Sequence, residues 1–425
     1  MAQKSKQWAA IIMMIALFGM IAFVTNLCSP MAIIVKNQFG ASDTLAQIGN
    51  YGNFIAYLVM GIPSGMLIAK YGYKKTALMA LVVGIIGILL EYFSGQAGSF
   101  LIYLIGAFIS GFCMCMLNTV VNPLLNVLGG EGKTGNQLIQ IGGSCNSACA
   151  VAVYIIMGAL IGDAAKAKID DATPALFIAL AIFIIAFIVL IFTKIEEPEQ
   201  APVQTSLIAG ALKYRHFSLG ALAIFLYMSV EVGTPTYLLQ YMTNEAGPNG
   251  LGMDAGIVGL IVAVYWLMMF VGRLVGGAIG GKVSSRAMIS TVASCAVVLI
   301  LFGIFAPKDI TVNVPGIDWA NLSVISAEVP IGVLAFILVG LCTSVMWGGI
   351  FNMAVEGLGK YTAVASGIFM TMVFGCAVMV FVQAQVAEAT GSYLTSYFVP
   401  LACVIYILFY ALVGCKNVNT DIKVD

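Results

Sequence analysis

"KIEEPEQAPVQTSLIAGALKYRH", residues 194–216, is charged, contains Pro198 and Pro202, and interrupts a 425-residue chain that is otherwise 61% hydrophobic and only 9% charged. No globular interior could hide so much apolar surface behind so few charges, so the solvent of this chain is a bilayer. Crossing roughly 30 Å of hydrocarbon takes about 20 helical residues. Windows of that size outline apolar stretches at 8–35, 46–69, 76–94, 99–124, 137–162, 173–193, 217–242, 253–278, 285–306, 330–354, 362–388 and 392–414. Six precede the quoted segment and six follow it. The expectation is an all-α membrane protein: an N-terminal six-helix half (1–193), a cytoplasmic linker (194–216) and a C-terminal six-helix half (217–425). Spans of this length with almost no period-2 alternation speak for helices and against a transmembrane barrel.

Lys and Arg beside spans stay on the cytoplasmic side. With the N-terminus inside, the inner loops and tails hold fourteen of them: Lys4, Lys6, Lys70, Lys74, Lys75, Lys133, Lys194, Lys213, Arg215, Lys282, Arg286, Lys360, Lys416 and Lys423. The outer loops hold four, Lys36, Lys166, Lys168 and Lys308, and Arg273 completes the nineteen. Both termini are therefore expected in the cytoplasm. The first span is too long for a signal-peptide core and lacks an A-x-A cleavage pattern, so it reads as a retained helix. Of the ten cysteines, all but Cys415 fall inside spans, with neither zinc spacing nor a disulfide framework. No metal, no cofactor and no nucleic-acid partner is expected. Ser-His-Asp, HExxH and phosphate-loop patterns do not occur either, which argues against an enzyme.

The two halves echo each other. "GMLIAKYGYKK" (65–75) after the second span has a counterpart in "GRLVGGAIGGKVSSR" (272–286) after the eighth. "VLGGEGKTG" (127–135) after the fourth is answered by "EGLGKYTAVASG" (356–367) after the tenth. Parallel repeats of six helices imply a pseudo-dyad along the bilayer normal, the major facilitator arrangement, with a solute site at the midplane between the halves.

Charge inside a span costs about 2.5–3.5 kcal/mol at the helix centre on insertion scales, so an intramembrane carboxylate is a functional candidate. Glu231, in "FLYMSVEVGTPTYLLQYM" (225–242), is such a group, whereas Glu91 and Glu388 read as lying near outer helix ends. A carboxyl removed from water can take up and release a proton near neutral pH. Glu231 is thus a candidate for ion coupling or substrate binding; a structural acid bonded to a helix end loosened by Pro235 is the alternative. Neutral polar and aromatic residues occur around it in unusual number. Asn26 and Ser29 lie in the first span, Asn118 and Asn122 on one face of the fourth, and Gln140 and Asn146 in the fifth, near Ser144 and Ser147. The second half adds Tyr227, Tyr237 and Gln240, then Tyr265 and Trp266, then Trp347 and Asn352. Carboxamides and hydroxyls donate and accept hydrogen bonds, and aromatic faces suit the C–H faces of a pyranose. These are the candidate substrate contacts, for a neutral polyhydroxylated solute; bonds between helices are the alternative for each. Arg273, in "VGRLVGG", reads as a cytoplasmic helix-end residue that snorkels, or serves in gating. His216, beside Arg215, reads as interfacial.

Four motifs carry a family resemblance. "NTVVNPLLNVLGGE" (118–131), "VEVGTPTYLLQYM" (230–242), "YWLMMFVGRLVGG" (265–277) and "GLGKYTAVASG" (357–367) resemble the fucose–galactose–glucose:proton symporter family of the major facilitator superfamily, in order along nearly the whole chain. The resemblance implies proton-driven uptake of a monosaccharide by alternating access in the bacterial inner membrane, by a monomer with sugar, proton and lipid as its partners. The chain departs from the family pattern at three places. Cys28 or Ser29 stands where members have an aspartate, Asn118 where they have a glutamate, and Gly143 where they have a glutamine, while the nearby asparagine is present as Asn146. Coupling would then fall to Glu231, use sodium, or be absent. An exporter of apolar drugs and a non-transporting solute sensor are the rival readings; the amides speak against the first and the short tails against the second. An acidic sugar fits less well, because the sequence shows no cation in mid-span.

Overall fold

The computed structural model describes residues 7–42, 45, 48–128, 133–161, 166–195, 206–247, 249–279, 283–318, 323–358, 361–416 and 418. Among these, twelve helices are long and apolar enough to cross a membrane. Spans 1 to 6 are Trp8–Phe39, Tyr51–Ile68, Lys70–Ala97, Phe100–Asn122, Ile141–Ile161 and Ile169–Phe192; spans 7 to 12 are Arg215–Thr243, Ala255–Ile279, Ser285–Phe305, Ile331–Val355, Gly367–Thr390 and Tyr393–Gly414. The side on which span 1 begins is called here the near face, the opposite side the far face. Parts of the repeated near-face motifs, 129–132, 280–282 and 359–360, lie outside the described residues, as does most of 194–205. A short helix, Ser206–Leu212, precedes span 7.

Local chemistry sets the ends of these helices. Spans 2 and 3 form one run broken at Gly72, whose φ of 84° is open to glycine and strained for other residues. The helix of span 3 therefore resumes directly after that break, at Tyr73, three residues before the predicted 76. Lys74 then donates to the carbonyls of Ile191 (2.9 Å) and Thr193 (2.8 Å), capping the orphaned acceptors at the end of span 6. Span 1 ends at Gly40 (φ 62°), whose N–H bonds the Lys36 carbonyl.

Burial sorts the spans into an inner and an outer set. In the most apolar stretch of each helix, 72% of residues are buried in span 1 and 67% in span 7, but only 28% in spans 6 and 9. Spans 1 and 7 are therefore central, and spans 6 and 9 present residues such as Ile185 and Phe305 to lipid. The halves meet along two equivalent seams, span 5 on span 8 and span 11 on span 2, as a pseudo-dyad requires. Small residues permit the close approach. A Cβ on Gly158 of span 5 would lie 2.8 Å from the Ala255 carbonyl of span 8, and one on Gly61 of span 2 would lie 2.6 Å from the Thr371 hydroxyl of span 11.

One element departs from an all-helical reading. Between spans 9 and 10, β1 (Thr311–Asp318) pairs antiparallel with β2 (Ser323–Pro330), Val314 opposite Ala327, and β1 rests on the start of span 8 at the far face.

Candidate functional site

Glu231 owes its setting to Pro235. A proline has no N–H, and its ring crowds the carbonyl four residues back, here that of Glu231 itself. Span 7 accommodates this by passing from α-helix (Arg215–Met228) through a π-turn (Ser229–Gly233) into a second α-helix (Thr234–Thr243). Such turns leave backbone acceptors without their helical donors. Tyr265 of span 8 supplies a replacement: its hydroxyl donates toward the Glu231 carbonyl (3.1 Å), with the Val230 carbonyl (3.4 Å) and the Thr343 hydroxyl (3.3 Å) also in reach. Span 10 is broken too, between Thr343 and Met346, and the Thr343 carbonyl freed there accepts from the Tyr227 hydroxyl at 3.3 Å.

The Glu231 carboxylate faces Arg273 of span 8, with 3.5 Å between Oε1 and Nη2, and the two side chains are 13% and 11% exposed. Arg273 also donates to the Ser147 hydroxyl (2.8 Å) and the Gly143 carbonyl of span 5. One guanidinium thus joins a carboxylate of the second half to the backbone of the first. The expectation that Arg273 turns toward the cytoplasmic helix end is corrected: a carboxylate and two further acceptors within reach of a long side chain hold it better than lipid headgroups would. So is the statement that no cation lies in mid-span. Tyr227, one helical turn before Glu231, faces its carboxylate and packs on Trp347 at a ring separation of 6.1 Å; Trp347 in turn meets Phe369 at 5.9 Å.

The other candidate residues divide. Ser29 bonds Thr236 across the halves at 2.8 Å, and Trp266 stacks on Tyr154 of span 5 at 6.2 Å. Asn118 donates to the Tyr57 hydroxyl (2.7 Å), Asn122 to the Asn118 carbonyl (3.0 Å) and Asn146 to the Phe18 carbonyl (3.1 Å). Asn26 is turned into its own helix, onto the Ala22 carbonyl. Tyr237 and Gln240 are buried, and Tyr237 reaches the Val380 carbonyl of span 11. Asn352 is moved out of the site altogether: it is exposed at the near end of span 10, in a cleft lined by Arg286, Glu356 and Lys416. The side chain of Gln140 lies outside the described residues. Two other residues keep their places near helix ends but are enclosed there. Glu91, near the far end of span 3, is buried and accepts from Ser110 at 2.8 Å. His216, at the near end of span 7, is buried too, bonded to the Glu356 carbonyl at 2.9 Å. Tyr57, Tyr154, Thr236 and Thr343 are the residues that sequence reasoning passed over. Tyr57 and Tyr154 are single hydroxyls in apolar runs, Thr236 and Thr343 stand beside other hydroxyls, and only the fold shows what each meets.

Residues 11–413 match the Major Facilitator Superfamily. Among curated relatives, the chain is 27% identical over 408 residues to the glucose/galactose transporter of Brucella abortus biovar 1, covering 94% of this chain and 93% of that one. It is 28% identical over 430 residues to the putative glucose/galactose transporter of Helicobacter pylori strain J99, covering 98% and 99%. The crystal structure of the E. coli fucose:proton symporter superposes with a TM-score of 0.71 at 20% identity, over 96% of this chain and 99% of that one.

Proposed function

The chain belongs to the major facilitator superfamily, and we propose that it imports a neutral hexose by alternating access, coupled to protons through Glu231. It is a transporter and not an enzyme. The observation that carries the coupling is the bridge from Glu231 through Arg273 to Gly143 and Ser147, because it links a titratable group to the seam along which the halves must separate. Charged, Glu231 holds Arg273 in place; protonated, it loses most of that attraction, and the equilibrium between the two orientations moves by the difference in affinity. The aromatic wall of Tyr227, Trp347 and Phe369 offers C–H faces of a pyranose a stacking surface. The names of the Brucella and Helicobacter relatives support hexose, and that of the E. coli symporter supports the proton.

Residues 1–193 and 217–425 act as the two moving bodies, joined by 194–216. The near face is the cytoplasmic one, with both termini there and the bacterial inner membrane around the chain; the Lys and Arg asymmetry supports this. One chain suffices, since the path lies between its own halves. The far-face contacts Ser29 to Thr236 and Lys36 to Asn244 (3.4 Å) would then close the periplasmic side.

Uptake of radiolabelled D-galactose, D-glucose and L-fucose into proteoliposomes tests the proposal. A proton gradient should drive accumulation in the wild type, while Glu231→Gln exchanges sugar without accumulating it. Accumulation driven by sodium alone, or unimpaired in the variant, defeats the role of Glu231. A second reading rests on Arg273: an acidic sugar could replace the Glu231 carboxylate as its partner. Competition by D-galacturonate that disappears in Arg273→Lys would favour it.

A further inference from the structure

We propose that Tyr154 and Thr236 are sugar-contacting residues beyond the candidates read from the sequence, and that the periplasmic gate is built from the same groups that bind the sugar. The inference rests on the hexose reading above. Ser29, Tyr154, Thr236 and Trp266 come one each from spans 1, 5, 7 and 8, two from either half. All four are buried, at 1%, 1%, 0% and 3% exposure. Ser29 and Thr236 satisfy each other across the seam at 2.8 Å. The Tyr154 hydroxyl faces Ser29, Thr236 and the Trp266 indole, yet forms no hydrogen bond, and the indole N–H is also without a partner.

A buried donor left unbonded costs about 1–3 kcal/mol, so two of them side by side at a seam need a reason. A solute supplies it. When the halves part on this side, the Ser29 to Thr236 bond breaks and four polar groups line the opening, three hydroxyls and one indole N–H, beside the Tyr154 and Trp266 rings, which stack 6.2 Å apart at 28° from coplanar. That combination of hydroxyls and aromatic faces matches a pyranose, which would bond the donors that the closed gate leaves unmet. Binding and closure then compete for the same hydroxyls, so sugar entering from outside releases the gate, and its passage inward lets the gate re-form.

The test is equilibrium binding of D-galactose and its monodeoxy analogues to the purified full chain, with thermal midpoints recorded in parallel. Tyr154→Phe removes an unbonded hydroxyl, so its thermal midpoint should equal or exceed that of the wild type, while D-galactose affinity falls about 3- to 10-fold. The loss should vanish for the one deoxy analogue that lacks the hydroxyl Tyr154 meets, and Thr236→Val should show the same pattern for a different position. An equal loss for every analogue, a fall in thermal midpoint with unchanged affinity, or no effect at all overturns the proposal. If the wild type binds none of D-galactose, D-glucose and L-fucose, the hexose reading fails and this one with it; a wild type that binds while Tyr154→Phe responds evenly defeats this inference alone.

Discussion

In the first half no described span changes helix type, even at Pro30 or Pro63, and the helix breaks only at Gly72 where spans 2 and 3 join, whereas four spans of the second half change or break within the membrane. Span 7 has its π-turn, span 10 its break, span 11 a 3-10 turn at Met372–Phe374, and span 12 ends in a π-turn at Tyr410–Gly414. Side chains fold back onto their own helix in both halves, as from Asn26 to Ala22, Ser64 to Met60, Ser294 to Ser290 and Thr371 to Gly367. In the second half, tyrosines reach across to loosened carbonyls: Tyr265 to Glu231, Tyr227 to Thr343, Tyr397 to Thr234 (2.7 Å). The first half thus resembles a platform and the second a set of jointed helices whose joints are held by hydroxyls. The expected mobile chemistry lies with the joints.

Removing Arg273 should break this arrangement most severely. Arg273→Ala leaves the Glu231 carboxylate buried without its cation and removes the hydrogen bonds from span 8 to Gly143 and Ser147 of span 5, which costs about 3–5 kcal/mol. Sugar uptake should fall to background and the thermal midpoint should drop. The double variant Glu231→Gln/Arg273→Gln should recover much of the stability and none of the coupling. A double variant as unstable as Arg273→Ala would show that the pair is not what joins the halves.

A smaller effect is expected at a joint. Tyr265→Phe takes the donor from the Glu231 and Val230 carbonyls, a loss of about 1–3 kcal/mol at a buried acceptor. Thermal unfolding should register it, and uptake should slow because the π-turn loses its brace. The same change at a first-half tyrosine, Tyr57→Phe, removes only the acceptor of Asn118 and should cost about 1 kcal/mol. Equal losses at the two sites would erase the proposed difference between platform and joints.

Much of this was legible beforehand. The twelve spans and the presence of Glu231 inside one of them follow from hydropathy and the cost of charge, which act locally. The partner of Glu231 was not legible, because a guanidinium reaches about a helical turn from its Cα and "VGRLVGG" does not say in which direction. Asn352 was misplaced because its amide was weighed above its position: it lies two residues from the end of the 330–354 stretch and emerges at the near end. The hairpin at 311–330 escaped a hydropathy window suited to helices, although Val312 and Val314 alternate with Thr311 and Asn313. Glu91 was set aside by its position near the end of span 3, where packing against span 4 buries it.

Glu91 gives the comparison its sharpest form, since among the described residues each half encloses one carboxyl within its spans, and the two are held differently. Glu231 faces a guanidinium bonded to the opposite half. Glu91 accepts one hydroxyl, from Ser110 of its own half, at a point where a Cβ on Gly106 would lie 2.9 Å from its Cγ. A group tied only within the platform has no lever on the seam. Glu91→Gln keeps the shape and the acceptor oxygen that Ser110 requires, so stability should change by less than about 1 kcal/mol. Proton-driven accumulation should stay within about twofold of wild type on that energy scale, against its abolition in Glu231→Gln. If Glu91→Gln instead uncouples transport while sparing exchange, the platform carries a proton of its own, and coupling is shared between the halves.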